Sequence, residues 1–206
     1  MQVDFVFNIA ILIMSVVIHE VSHGYAASIL GDQTARYQGR LTLNPLKHLD
    51  PVGSVIVPSI AYFLGGFIFG WAKPVPYNPY NLRPGRWSEA MVAAAGPASN
   101  IALAVAFGFL LRFGTTFGWA NEGFVAITSI VIFINILLAI FNLMPIPPLD
   151  GSKILYAILP DELGLRIRNT LEQYGLILVL LFIFFAWRII VPIVYYIFQI
   201  ITGFSI

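Results

Sequence analysis

The sequence has no cysteine and few charged residues, and these two absences exclude several kinds of protein. Without cysteine there is no disulfide framework, no thiolate nucleophile and no cysteine ligand for a metal. Only 10% of the 206 residues are charged, whereas an ordinary soluble domain has about a quarter. The net charge of +1 comes with no basic stripe that could neutralise phosphates, so nucleic acid is not an expected partner.

Hydrophobic residues make up 59% of the chain, and most of them fall into long runs. A helix that crosses a bilayer needs about 20 mostly apolar residues. Four runs meet that length, at 5–29, 89–112, 124–145 and 175–201. The first run has no basic leader, so we expect it to remain as a helix and not to be cleaved as a signal peptide. The sequence therefore predicts an all-α polytopic membrane protein with a single membrane-embedded domain over residues 1–206.

Two apolar runs are interrupted. The run 52–70 is shorter than the others and contains Pro58 and two adjacent glycines, which favour a bent or re-entrant segment over a straight span. Arg188 divides the run 175–201, so the C-terminal part of the fold can consist of one helix or two.

Basic residues concentrate in three segments between the apolar runs, at 31–51, 71–88 and 151–173, with three lysines or arginines in each. By the positive-inside rule, segments rich in lysine and arginine lie in the cytoplasm. All three can do so only if 52–70 enters and leaves the membrane on the same side. We therefore expect 52–70 to be a re-entrant or interfacial segment.

The polar residues in the first apolar run form a metal-binding pattern. His19 and His23 are four residues apart and lie on one face of a helix, with Glu20 beside them. In this HExxH spacing two neutral imidazoles bind zinc, and the glutamate takes a proton from the zinc-bound water as it attacks a carbonyl. A buried polar cluster without a metal is the alternative. Ionisable residues in a membrane span are costly and usually persist for function, which favours the metal.

A catalytic zinc site needs a third protein ligand and an open position for water. The sequence leaves His48 and the other aspartates and glutamates as candidates. Asp150 lies in the stretch PIPPLDG, whose prolines must end the preceding helix near Pro145. Irregular backbone at membrane depth persists only where protein buries it or where it lines a wet cavity, which is a suitable place for a metal. A surface turn is the alternative for this stretch taken alone.

Three motifs, taken in order along the chain, resemble those of the site-2 proteases, a family of zinc intramembrane metalloproteases. HEVSHGYAA is similar to the first family motif, HExxH. AAAGPASNIALA, at 93–104, is similar to the GPxxN helix, and NLMPIPPLDG is similar to the NxxPxPxxDG motif. The resemblance covers nearly the whole chain and is to the compact form of the family, without a PDZ or CBS domain.

The resemblance assigns roles to six polar residues. It implies that Zn2+ is the cofactor and that its ligands are His19, His23 and Asp150. It implies that Glu20 is the catalytic acid and base. It also implies that two asparagines contact the substrate backbone or the oxyanion, namely Asn100 and Asn142.

The family also implies a fold and an activity. We expect three transmembrane helices that carry the motifs, a re-entrant or interfacial segment, and one or two C-terminal helices. The expected reaction is hydrolysis of peptide bonds within or near transmembrane segments of membrane-anchored substrates, as in regulated intramembrane proteolysis. The expected location is a prokaryotic plasma membrane, with the active site toward the cytoplasm. The oligomeric state stays open.

Two other functions remain as alternatives. A polytopic transporter also carries polar residues at membrane depth, but it usually has paired repeats and a polar pathway across the bilayer. A catalytically silent metal-binding scaffold keeps the fold after losing a ligand or the base. The polar motifs cluster on one side, and the three implied ligands and the implied base, Glu20, are all present. Both observations favour the protease.

The segment 35–43 alternates large apolar and polar residues, with Tyr37, Leu41 and Leu43 on one side. This alternation predicts a strand edge on which an extended substrate could pair. A plain amphipathic loop is the alternative.

Overall fold

The computed structural model describes residues 5–56, 60 and 72–204. In these ranges the chain is helical and contains no strand. The α-helices are Phe5–Ile29 (α1), Thr34–Tyr37 (α2), Ser88–Thr116 (α3), Glu122–Asn142 (α4), Asp150–Ile158 (α5) and Asp161–Thr202 (α6). Single turns of 3-10 helix lie at Pro45–Lys47 and Pro79–Asn81, and a π-helical turn lies at Pro51–Ile56.

Among the residues that the structure describes, four helical segments are long and apolar enough to cross a bilayer: Phe7–Ile29, Ser88–Thr116, Glu122–Asn142 and Asp161–Phe185. The HExxH motif lies on α1 and the GPxxN motif on α3, while the third motif joins the end of α4 to the start of α5. The prediction of an all-α polytopic membrane protein is therefore confirmed.

The central helix is α3, which packs against α1, α4, α5 and α6. Between α3, α4 and α6 lies an apolar core in which Leu111, Ile132, Val194 and Phe198 are at most 1% exposed. Because α1 and α5 both contact α3, the first and third motifs both lie against the GPxxN helix.

The ends of two helices differ from the predicted runs. Helix α4 ends at Asn142 and not at Pro145, because a proline disfavours helical conformation in the residue before it and so acts upstream of its own position. Helix α6 begins at Asp161, well before the run 175–201. Its first turns are polar, so hydropathy does not detect them, although acidic residues in a first turn are favourable for a helix.

Helix α6 is continuous through Arg188 and Pro192, so the C-terminal part is one helix and not two. Its 42 residues correspond to a length of about 63 Å at 1.5 Å per residue. This exceeds the hydrocarbon thickness of a bilayer, about 30 Å. The polar N-terminal turns of α6 therefore extend beyond the apolar layer.

The strand predicted over 35–43 is wrong, because Thr34–Tyr37 is a helical turn and residues 38–43 are turn and irregular backbone, as in the loop alternative. The Asp32 carboxylate accepts hydrogen bonds from the Thr34 amide and the Thr34 hydroxyl, at 3.2 and 2.6 Å. Such local side-chain bonds compete with extended structure. The predicted re-entrant or interfacial segment at 52–70 falls largely outside the described residues.

Candidate active site

Three side chains from distant parts of the sequence meet at the junction of α1 and α5. His19 and His23 lie on successive turns of α1, and their Nε2 atoms are 3.0 Å apart. The Asp150 carboxylate, in the first turn of α5, places Oδ2 at 3.1 Å from Nε2 of His19 and 3.2 Å from Nε2 of His23. All three residues are buried. The structure therefore brings together the three residues that the sequence singled out as ligands.

The other nitrogen of each imidazole faces a hydrogen-bond acceptor. Nδ1 of His19 lies 2.6 Å from Oδ1 of Asn100, and Nδ1 of His23 lies 2.7 Å from the carbonyl oxygen of Val92. Each Nδ1 therefore carries the proton and donates it. This tautomer leaves the lone pair of each Nε2 directed at the cluster, which is the arrangement of histidines that bind metals.

With both Nδ1 atoms protonated and both imidazoles neutral, the cluster consists of three electron-pair donors with no hydrogen between them. Two neutral Nε2 atoms and a carboxylate oxygen at about 3 Å repel one another unless a cation lies among them. This donor set could hold a metal ion. Imidazole and carboxylate together suit transition metals such as zinc.

Gly96 allows α3 to approach the two imidazoles. A Cβ atom at this position would lie 2.6 Å from Cε1 of His19 and would clash with Nε2 of His23. No side chain fits in that space. The glycine of the GPxxN motif therefore lets the helix backbone form a wall of the cluster.

A chain of buried polar groups lies behind His19. Asn100 is fully buried, and its Nδ2 donates to Oδ1 of Asn135 at 2.8 Å. Nδ2 of Asn135 donates in turn to the Ser15 hydroxyl at 2.9 Å. The resemblance implies that Asn100 contacts the substrate backbone or the oxyanion; in the structure its amide oxygen lies on the His19 imidazole.

Neither Asn135 nor Ser15 was singled out from the sequence, although both had a signal there. Asn135 is a polar residue in the middle of an apolar run, where it needs a partner. Ser15 precedes His19 by four residues and so lies on the same face of α1. Taken together, these two positions would have pointed to a polar network beside His19.

Glu20 lies next to the cluster on α1 and is half-buried. Its Oε2 accepts a hydrogen bond from the backbone N–H of Val75 at 2.9 Å. Val75 is far from α1 in sequence, and no sequence pattern indicates this contact. The second carboxylate oxygen keeps its capacity to accept a proton.

Two other candidates form their described hydrogen bonds with backbone carbonyls and not with the three clustered side chains. Asn142 ends α4, and its Nδ2 donates to the carbonyl oxygen of Leu138 in the same helix, at 3.0 Å. His48 is 1% exposed and places Nε2 at 2.8 Å from the carbonyl oxygen of Thr42. The structure thus does not bring His48 to His19, His23 and Asp150, and it places Asn142, the first residue of the third motif, at the end of α4.

A positive charge lies one turn beyond Asp150. The Lys153 ammonium sits over the ring of Tyr77, 5.0 Å from its centroid. Desolvation opposes the charged form, but the neighbouring Tyr77, Asp150 and Glu89 outweigh it and raise the pKa of Lys153. Lys153 is therefore charged at neutral pH and adds a cationic group to this side of the site.

Comparison with known proteins identifies related sequences. Residues 117–186 match the family model for peptidase family M50. This range includes Asp150 and the third motif. No solved structure matches the chain.

Two relatives align with most of the chain. YwhC of Bacillus subtilis, whose name gives it as a candidate zinc metalloprotease, is 41% identical over 175 residues, which are 82% of this chain and 76% of the relative. Rip2 of Mycolicibacterium smegmatis, given the same description, is 34% identical over 180 residues, 85% of this chain and 65% of the relative. The chain thus spans about three quarters of the first relative and just under two thirds of the second.

Proposed function

This chain belongs to peptidase family M50, the site-2 proteases, and is a membrane metalloprotease; we propose that it hydrolyses peptide bonds within or near the transmembrane segments of membrane-anchored proteins. The observation that carries this proposal is the convergence of His19, His23 and Asp150 with Glu20 beside them. Residues 1–206 would form one membrane-embedded protease domain.

We propose that the metal is zinc and that His19, His23 and Asp150 hold it. Two imidazoles and one carboxylate form a known ligand set for catalytic zinc. In tetrahedral coordination with bonds of about 2.0 to 2.1 Å, ligand atoms lie roughly 3.3 Å apart. The separations of 3.0, 3.1 and 3.2 Å between the three ligand atoms support this assignment.

When bound, zinc would supply Lewis-acid polarisation of the scissile carbonyl and lower the pKa of water. Glu20 would take the proton from the attacking water and deliver it to the leaving amine. Its Oε2 is held by the Val75 amide, which leaves Oε1 for proton transfer. Asn100 would keep the His19 imidazole oriented, and Asn142 remains the candidate for contact with the substrate or the oxyanion.

The substrate must present an extended backbone to this site. In a transmembrane helix the carbonyls are hydrogen-bonded and shielded, so the segment has to unwind before water can attack. The burial of all three ligands supports a site that excludes bulk water until substrate enters. The substrate class we propose is therefore a transmembrane protein whose helix unwinds locally.

We further propose that the site faces the cytoplasm of a prokaryotic cell. The three basic segments meet at one end of the helix bundle, which supports this orientation. The Arg83 amide donates to the carbonyl oxygen of Leu30, at the end of α1, at 2.7 Å. The Arg86 guanidinium donates to the carbonyl oxygen of Leu159, at the end of α5. The positive-inside rule assigns such an end to the cytoplasm.

Removing the metal tests the proposed function directly. The purified protein should contain about one zinc per chain. Its activity is measured as the cleavage rate of a single-pass transmembrane test substrate. Treatment with 1,10-phenanthroline should lower the cleavage rate at least about 10-fold, because the metal polarises the carbonyl, and added zinc should restore it. The non-chelating isomer 1,7-phenanthroline is the control. Undiminished cleavage by metal-free protein would contradict the proposal.

Replacing Asn135 with leucine tests the polar network behind His19. The substitution keeps a side chain that branches at Cγ but removes the Oδ1 acceptor that Asn100 uses at 2.8 Å, so His19 should lose its fixed orientation. Loss of such supporting contacts typically weakens metal binding by about 10- to 100-fold. The measurement is zinc affinity by competition with a chelating dye.

The matched control is Thr128→Val, which removes another buried polar group from the same helix. We expect its zinc affinity to equal that of the wild type, because the described hydrogen bonds do not link Thr128 to His19. Equal affinities for the two variants would show that the network does not support the metal site.

A further inference from the structure

Residues 72–78 are here named the strap. They form a segment that is neither helix nor strand and pass over Glu20. Pro74 and Pro76 lie within it and have no N–H group, so Val75 is the single amide donor among three consecutive residues. That donor is the one bonded to Glu20, at 2.9 Å.

Two residues fix the first half of the strap. The Arg40 guanidinium donates through Nη2 to the carbonyl oxygens of Lys73 and Pro74, at 2.8 and 3.2 Å. The Lys73 amide donates to the carbonyl oxygen of His48 at 2.8 Å. Arg40 is only 7% exposed, and burying a guanidinium is costly unless it is hydrogen-bonded. The two carbonyls that flank Pro74 are therefore held in place by a buried charge.

The second half of the strap is fixed by Asp32. Its Oδ2 accepts from the Asn78 amide at 2.8 Å, and its Oδ1 accepts from Nδ2 of Asn81 at 3.0 Å. Asp32 is fully buried. Desolvation acts to raise its pKa, but the hydrogen bonds from Thr34, Asn81 and Asn78 together lower it. Asp32 therefore stays ionised and holds the end of the strap.

Gly24 allows the strap to approach α1. It follows Glu20 by four residues and so lies on the same helix face. A Cβ atom there would be 2.7 Å from Cγ1 of Val75 and 2.5 Å from Cδ2 of Leu41. Real side chains do not tolerate such distances, so close packing at this point depends on glycine. This packing is independent of the hydrogen bonds and places the Val75 amide over Glu20.

We propose that Arg40 is a positioning residue for Glu20 and acts through the strap. By holding the carbonyls of Lys73 and Pro74, it directs the Val75 N–H at Oε2 of Glu20. The carboxylate is thereby fixed in one rotamer, with Oε1 free to exchange a proton with water. The inference rests on the proposed function, because it gives this geometry a role in peptide hydrolysis.

The first test removes the amide or its support. Val75→Pro removes the N–H in a segment that already contains prolines, whereas Val75→Ala keeps it. We expect Val75→Pro to lower kcat at least about 10-fold below Val75→Ala, since a displacement of about 1 Å can cost on the order of 100-fold. KM and zinc content should agree between the two variants within about two-fold.

Arg40 variants test the same role without touching the strap. Arg40→Met should lower kcat about as much as Val75→Pro, and Arg40→Lys should restore part of it, because an ammonium can still donate to one carbonyl. The control is Arg36→Met, an exposed arginine on α2, which should behave as wild type.

Hydrogen exchange of the strap provides a readout that does not need catalysis. A hydrogen-bonded amide exchanges slowly, so the strap should lose protection in both Arg40→Met and Glu20→Ala. Equal kcat for Val75→Pro and Val75→Ala, in a wild type that cleaves, would overturn the positioning role alone. Unchanged exchange in Arg40→Met would overturn the action through the strap. A wild type that contains zinc and a protected strap but cleaves nothing would refute the proposed function, and the positioning role with it.

Discussion

Glu20→Gln abolishes cleavage and leaves zinc bound: this is the result that we expect to have the largest effect. Glutamine has the size of glutamate, and its amide oxygen can still accept the hydrogen bond from Val75. It cannot take a proton from water. General acid and base catalysis contributes about 100- to 10,000-fold to rates, so we expect a loss of at least about 100-fold. The measurements are initial cleavage rate and zinc content by mass spectrometry.

Two further substitutions define what the glutamine variant means. Glu20→Asp keeps the carboxylate but shortens its reach, so it should lie between wild type and Glu20→Gln in rate. Glu172→Gln removes an exposed carboxylate on α6, which pairs with Arg168 at 2.8 Å, and should cleave as wild type does. Wild-type rates for Glu20→Gln would exclude it as the base. Loss of zinc in that variant would instead indicate that Glu20 supports the metal.

The first two proposed ligands could be predicted from the sequence because helical geometry is local. Residues four apart on a helix share a face, so the spacing of His19 and His23 alone placed their imidazoles together. The structure separates their Nε2 atoms by 3.0 Å. No packing information was needed for this pair.

Asp150 could not be selected in the same way. It reaches α1 only because α3 packs against both α1 and α5, which is a tertiary arrangement that spacing does not encode. The residues alone left His48 as a competitor, and family resemblance was needed to choose between them. In the structure His48 faces the Thr42 carbonyl and lies outside the cluster.

Contacts made by the backbone were beyond the reach of the sequence. The Val75 amide and the Val92 carbonyl bind Glu20 and His23, yet neither residue type suggests a polar role. Helix ends were also misplaced, because hydropathy measures apolar content whereas helices extend into polar turns. Helix α6 is the clearest case, since its first turns carry Asp161 and Glu162 and still continue into the membrane span.

Asp150→Ala is expected to remove zinc from the protein, which is the second large effect. Two neutral imidazoles would remain, without the carboxylate that supplies the third ligand and the only negative charge of the set. Zinc content after purification should fall from about one per chain to less than about a tenth. Cleavage should be lost with it. The measurement is zinc per chain in wild type and variant, purified side by side in detergent.

Two controls separate the charge from the position. Asp150→Asn keeps the shape and one oxygen donor but not the charge, so zinc should bind more weakly than in wild type and more strongly than in Asp150→Ala. Asp161→Asn changes an exposed carboxylate at the start of α6 and should keep full zinc content.

The two substitutions are informative as a pair, because the proposed mechanism assigns different tasks to the two carboxylates. Glu20 should be dispensable for metal and required for proton transfer, whereas Asp150 should be required for metal. If Asp150→Ala retained zinc, the third ligand would have to come from another side chain, and Glu20 is the carboxylate nearest in sequence to both histidines. Zinc loss in Glu20→Gln with zinc retention in Asp150→Ala would therefore exchange their roles. The contacts of His19, His23 and Asp150 support the opposite pattern, in which Glu20→Gln keeps zinc and Asp150→Ala loses it.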